Sequence, residues 1–484
     1  MSGMKKRQGL RPGDCPGCLA APLNRRDMLR RTANGFGLLA LSALMARRSY
    51  AGLAPTATPQ PHLPVKAKSV IFCFMDGGVS HIESFDPKPK LDALDGKDVS
   101  ISKKEHPLRA GMRKWLGSRW KFRQYGDSGI PVSELFPHMA ECVDDLAVIR
   151  SMKGDFPLHS RGNLLLHTGR SLAGHPSLGS WVNYGLGSEN QNLPGFVVLH
   201  NGMNIPSGLD NFTSGYLPAS YQATLVRTEG IPIDNLAAAD TRLQRAKLDF
   251  LQEQDRDFSS TQGSVDAIDS AIGNYELAYR MQSLVPDVLD LSHEGEKTKK
   301  LYGIDSSDLD KSRYGVQCLR ARRLVEAGVR FVEVTCPMLF GNTGTWDQHG
   351  NLKKGHERNA FVVDQGIAAL LKDLKQRGLL EETLVVWSGE FGRTPHSVGD
   401  DGRDHHPYGF SLWMAGAGVR GGLVYGETDE MGMRAVEKVT TFHDLHATIL
   451  HLLGLDHEKL TYRHAGRDFS LTDVHGDLIR DILS

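Results

Sequence analysis

Ser69-Val70-Ile71-Phe72-Cys73-Phe74-Met75 runs apolar without a break from Val70 onward and stops at Asp76-Gly77-Gly78. A strand with one wet face alternates apolar and polar residues; a continuous run belongs to a strand covered on both faces, as in a parallel sheet. The same pattern returns at Phe331-Val332-Glu333-Val334-Thr335, at Leu384-Val385-Val386-Trp387-Ser388 and at Phe410-Ser411-Leu412-Trp413-Met414-Ala415. Asp364 to Arg377 places Ile367, Leu370, Leu371 and Leu374 on one helical stripe, closes at Gly378 and leads into the strand at Leu384. Strands alternating with helices predict an α/β fold: a doubly wound, mostly parallel sheet with helices on both faces. Such sheets bind ligands at the carboxyl ends of their strands.

From about Asn235 to Tyr302 the chain turns polar and helical, which reads as a helical insertion within a single domain spanning 65–484. With 40% apolar and 24% charged residues, the composition is that of a globular protein able to bury a sizeable core. Lysine plus arginine equals aspartate plus glutamate at 57 each, so no whole-chain field draws nucleic acid or an anionic membrane surface. Of six cysteines, Cys73, Cys142, Cys318 and Cys336 are widely spaced, and no disulfide framework is visible.

The first 54 residues read as an address. Asn24-Arg25-Arg26-Asp27-Met28-Leu29-Arg30 precedes a short apolar stretch, Ala33 to Met45, then an Ala/Pro/Thr-rich zone around Ala51 to Thr56. This resembles a twin-arginine signal. It implies passage through the twin-arginine translocase, a periplasmic or otherwise extracytoplasmic destination, and transport in the folded state. No later stretch is apolar enough to span a membrane.

Five residues fall where a metal site in such a sheet would gather them. Asp76 ends the first strand, Asp347 and His349 follow the strand at Phe331, Glu390 ends the strand at Leu384, and His405 precedes the strand at Phe410. Hard divalent ions take carboxylates, and zinc adds imidazoles. Singly, an acidic residue after a strand more often caps a turn; together the five form a set that structural roles explain poorly.

Phe74-Met75-Asp76-Gly77-Gly78, Ser84-Phe85-Asp86-Pro87-Lys88-Pro89, Ser388-Gly389-Glu390-Phe391-Gly392-Arg393-Thr394-Pro395 and Gly402-Arg403-Asp404-His405-His406 resemble domain-of-unknown-function family 1501 across nearly all of the chain after the leader. That family is similar to the alkaline phosphatase and sulfatase superfamily. The resemblance implies one or two divalent ions, zinc first, with calcium, magnesium or manganese as alternatives. One ion would take Asp76 and Glu390 with help from His159, the other Asp347, His349 and His405. Phe391 stands where the superfamily has a histidine ligand, and its usual Asp-to-His spacing lands on Asn351, with His349 two residues from Asp347.

Aligning Thr168-Gly169-Arg170 on the sulfatase motif puts His159 at the nucleophile position, with Ser160 beside it and no proline after it. Formylglycine chemistry is thereby disfavoured; Ser160 or a metal-bound water is left to attack. Arg161 and Arg393 would either fork the oxygens of a phosphate or sulfate or brace loops. The expected function is that of an exported metal-dependent hydrolase of phosphate or sulfate esters, with an anionic ester as substrate. The alternative is an inactive extracytoplasmic binding or scaffold protein that retains the metal-site skeleton.

Overall fold

The computed structural model describes residues 60–484, apart from residue 104 and the stretches 106–109, 203–204, 235–240, 263–265 and 337–345. The expected leader lies outside the described residues. Nine strands form one sheet: β1 (Ser69–Phe74), β2 (Leu146–Lys153), β3 (Phe196–His200), β4 (Thr224–Arg227), β5 (Phe331–Thr335), β6 (Thr383–Ser388), β9 (Phe410–Ala415), β10 (Leu423–Tyr425) and β11 (Thr440–Thr441). A two-stranded ribbon, β7 (Gly392–Val398) and β8 (Gly402–His406), projects between β6 and β9. The sheet order is β10-β2-β9-β6-β1-β5-β3-β4, with β11 beside β2.

The unbroken apolar runs are buried on both faces, as the sequence requires. In β1, Val70, Phe72 and Phe74 join one hydrophobic core while Ile71 and Cys73 join the other. The first core is closed by α1 (His159–Thr168), α2 (Leu178–Leu186) and α7 (Phe442–Leu452). The second is closed by α4 (Asp266–Leu289), α5 (Leu309–Glu326) and α6 (Leu352–Gln376). The fold is therefore mixed α/β, a mostly parallel sheet flanked by helices on both faces.

One strand reverses. β9 runs antiparallel to both β6 and β2, whereas every other pairing in the sheet is parallel. Burial on both faces produces the same hydropathy in either direction, so the sequence pattern could not show this. Its consequence is positional: the segment before β9 lies at the same sheet edge as the carboxyl ends of β1, β5 and β6.

Helix α6 begins at Leu352, well before the predicted start at Asp364. Its first turns bury Gly355, His356 and Asn359 among exposed lysines and glutamate, so small and polar residues hide the stripe there. Helix α3 (Thr241–Gln262) and α4 occupy the polar stretch after β4. Met281, Val285, Val288 and Leu289 of α4 enter the second core, and Arg323 of α5 donates through Nε to the Val288 carbonyl at 2.8 Å.

Candidate metal centre

Four segments meet at the carboxyl edge of the sheet. Helix α1 starts after Pro157-Leu158 without a side-chain cap and ends at Gly169 in the left-handed region. Its close approach to the loop after β6 depends on Gly162, where a Cβ would sit 3.2 Å from Glu390 Cγ and 3.3 Å from the Phe391 ring. Two turns further along α1, His167 Nε2 lies 2.9 Å from Glu333 Oε1 of β5, and its Nδ1 lies 2.7 Å from the Asn163 carbonyl. One face of the helix is thus fixed from the core up to His159. The ribbon is anchored as tightly: a Cβ on Gly402 would land 2.0 Å from the His349 carbonyl oxygen.

His159 sits between two carboxylates, with Nδ1 2.6 Å from Glu390 Oε1 and Nε2 3.2 Å from Asp347 Oδ2. Asp347 Oδ1 also lies 3.0 Å from His405 Nε2 and 3.0 Å from His349 Nε2. The two Nε2 atoms of His349 and His405 face each other at 2.9 Å. Behind them, Asp404 Oδ1 stands 3.5 Å from His349 Nδ1, and the Pro157 carbonyl lies 2.8 Å from His405 Nδ1. The ligand atoms of His159, Asp347 and His405, and those of His349, Asp404 and His405, form two groups each spanning less than 4.8 Å. Bonds of about 2.0–2.1 Å in a tetrahedral site hold ligand atoms roughly 3.3 Å apart, so the donor spacing and the imidazole–carboxylate chemistry fit a divalent ion.

The electrostatics belong to a site poised for a cation. Burial works against charge on Asp347, but His159, His349, His405 and the Arg393 guanidinium hold its carboxyl well below the usual carboxylate range. His159 is also penalised by burial, yet Asp347 and Glu390 raise it to about 9. Burial lowers His405, with Asp347 opposing. Asp76 lies deeper, raised to about 7 by burial and then by the charge of Glu390.

The structure brings His159, Asp347, His349 and His405 together directly and attaches Glu390 through His159. Asp76 accepts from Asn163 Nδ2 at 3.4 Å, and Glu390 accepts the Gly77 amide at 3.1 and 3.2 Å. Arg393 is fully buried: it donates to the carbonyls of Gly77, Gly78 and Arg403 and to Asp347 Oδ1 at 2.6 Å, so it braces loops. Ser160 and Arg161 are exposed; the Ser160 carbonyl accepts from Ser207 Oγ, and Arg161 lies over the Phe156 ring. Phe391 is buried with its ring centroid 4.8 Å from His405 and 5.0 Å from His159. Sequence reasoning passed over Asp404 and Asn163. Asp404 stood in a quoted motif beside His405, and Asn163 is one turn from His159, the spacing that shares a helix face.

Fold and centre together define an α/β protein carrying an imidazole–carboxylate cluster at the carboxyl edge of its sheet. The chain belongs to the family described as "Protein of unknown function (DUF1501)", whose model matches residues 67–483. No curated protein matches it. Among solved structures it is similar to the PsFucS1 sulfatase from Pseudoalteromonas sp. at 13% identity, covering 87% of this chain and 72% of that one, with a TM-score of 0.35. A protein in the alkaline phosphatase superfamily from Vibrio parahaemolyticus is 10% identical, with 86% and 76% covered and a TM-score of 0.36. The C-terminal periplasmic domain of EcEptC from Escherichia coli, in complex with Zn, is 10% identical, with 83% and 87% covered and a TM-score of 0.35.

Proposed function

We propose that this chain is an exported, metal-dependent hydrolase of phosphate or sulfate esters. The observation that carries the reading is the convergence of His159, Asp347, His349 and His405 from separate segments at the carboxyl edge of the sheet. These residues, with Asp404 behind His349, would hold one or two divalent ions. An ion bound there supplies a Lewis acid that polarises an ester oxygen and neutralises charge on the transferring group. Glu390 fixes the His159 ring through Nδ1, leaving Nε2 for the cluster, and Arg393 orients the Asp347 carboxylate. Ser160 is exposed while its neighbour His159 turns into the cluster, which favours water over Ser160 as the attacking group. Arg161, exposed on the first turn of α1, adds positive charge to draw an anionic ester.

The leader extends the proposal to location: twin-arginine export would deliver the folded chain to the periplasm. Among the described residues, no helix is long and apolar enough to cross a membrane. The test is metal analysis of the purified chain followed by a screen of aryl phosphates and sulfates. The expected result is one or two ions per chain and turnover of one ester class, both lost in Asp347→Ala. Phe391, packed against His159 and His405, favours a second reading as a metal-bearing binding protein. A fully metallated chain that turns over no ester would establish that reading instead.

A further inference from the structure

Helix α3 packs on α4, which in turn covers the second core. The face it turns inward is largely polar. Leu248 and Gln252 are buried there, Arg245 Nη2 donates to Glu276 Oε1 of α4 at 2.7 Å, and Gln252 Nε2 donates to the same oxygen. The Arg245 guanidinium also lies over the Tyr279 ring of α4.

The face it turns outward is apolar. Leu243 is 53% exposed, Phe250 60%, Leu251 44% and Phe258 50%. At 3.6 residues per turn these four fall within an arc of about 100°, away from Leu248 and Gln252. A surface helix ordinarily turns its apolar stripe to the core and its charges to water. On α3 that arrangement is reversed, and contiguous exposed apolar surface marks a contact face.

The stripe is its own complement. Leu243 stands seven residues before Phe250, and Phe258 seven after Leu251, so the pattern reads alike in both directions about the midpoint of Phe250-Leu251. Laid against a reversed copy, Leu243 meets Phe258 and Phe250 meets Leu251, each contact occurring twice. Lys247, within the stripe, comes level with Gln254 and within a turn of Asp255 and Asp257 of the second copy. Charge on this side of the helix is divided the same way, with Lys247 before the midpoint and Glu253, Asp255 and Asp257 after it. The other charges point away: Asp249 accepts from Arg245 at 2.6 Å, and Arg256 donates to Gln252 at 3.2 Å. A parallel pair would set lysine against lysine and acid against acid; an antiparallel pair joins opposite signs.

We infer that a second copy of this chain docks on α3, the two helices antiparallel about a two-fold axis through the Phe250-Leu251 step. Eight half-exposed side chains at roughly 100 Å² each put about 800 Å² of apolar surface into the pair. With its polar flanks this reaches the low end of specific interfaces, which start near 1,200 Å², so the dimer forms with a dissociation constant on the order of 10 µM. An anionic membrane is the poorer occupant, because it selects helices whose polar face is rich in lysine and arginine.

The test is sedimentation equilibrium of the full chain from about 1 to 200 µM. A monomer–dimer equilibrium is expected, weakened on the order of a hundredfold or more in Phe250→Asp, because an isologous contact suffers each substitution twice. Phe250 is exposed, so circular dichroism of that variant should match the unaltered chain. Register is read by oxidative cross-linking against the background of the unaltered chain. Leu243→Cys mixed with Phe258→Cys should give a disulfide-linked dimer, while Leu243→Cys alone should not, its two copies standing about 22 Å apart. A chain that stays monomeric throughout, a dimer undiminished in Phe250→Asp, or Leu243→Cys linking to itself overturns the inference. So does a monomer that sediments with phosphatidylglycerol vesicles and loses them in Phe250→Asp, which would assign the stripe to a membrane surface.

Discussion

Metal uptake at the cluster is expected to expel a proton from His159. In the metal-free chain Asp347 and Glu390 raise that imidazole to about 9, so at neutral pH both its nitrogens are protonated and each faces a carboxylate. A ligand nitrogen must be bare, and the ion therefore competes with the proton. The apparent affinity falls tenfold for each pH unit below the pKa, about a hundredfold at pH 7 and about tenfold at pH 8, and levels off above pH 9. A hundredfold is about 2.7 kcal/mol. An imidazole at its ordinary value near 6.5 would instead level off above pH 7, and His405, which is lowered, adds no slope in this range. The sign for stability is opposite: without metal, the contribution of His159 is complete below about pH 6.5 and is lost as pH rises through about 9. Calorimetric titration with chelator-buffered zinc from pH 6.5 to 9.5, in two buffers of different ionisation heat, counts the protons released. An affinity that is flat between pH 7 and 9, or a slope that survives in His159→Ala, refutes the reasoning.

Asp347→Ala and His405→Ala should each weaken zinc binding on the order of a hundredfold or more, because roughly four ligands share about 10–16 kcal/mol in a zinc site; plasma-emission metal analysis beside circular dichroism reads both outcomes. Gly162→Val forces α1 away from Glu390 and Phe391 and is expected to lower metal affinity while the sheet stays folded, which the same titration checks. Arg403 and Glu83 form a fully buried pair, with Nη2 2.6 Å from Oε1, so Arg403→Met strands a carboxylate and should cost about 3–5 kcal/mol in chemical denaturation; a loss below about 1 kcal/mol would contradict that account. Replacing Arg25 and Arg26 together by lysine should leave the precursor in the cytosol, and undiminished periplasmic recovery on fractionation would dismiss the export proposal.

The fold was legible wherever burial and hydropathy coincide. The runs at Ser69, Phe331, Leu384 and Phe410 all became strands of one sheet, since they are short, rich in β-branched and aromatic residues and covered on both faces. The reversal of β9 was invisible, because direction leaves no trace in a run buried on both faces. The first turns of α6 were missed for a related reason: Gly355, His356 and Asn359 are buried through close packing and hydrogen bonding, not apolarity. At the centre, residue type and position relative to strand ends pointed to Asp347, His349 and His405, while His159 entered only through its motif. Arg393 was undecidable from sequence. Whether a guanidinium grips a ligand or its own loops depends on which carbonyls surround it, and those of Gly77 and Gly78 come from the other end of the chain.

The central strand has a consequence for biosynthesis. β1 is among the first strands to leave the ribosome, yet both its neighbours, β5 and β6, are encoded far downstream. Until Thr335 has emerged β1 has two bare edges, and until Ser388 has emerged it keeps one, the state in which nascent chains pair wrongly and aggregate. The imidazole–carboxylate cluster cannot assemble earlier either, because His405 follows β6. A chain cut short before that point therefore exposes the β6-facing edge of β1 and lacks the His405 side of the cluster.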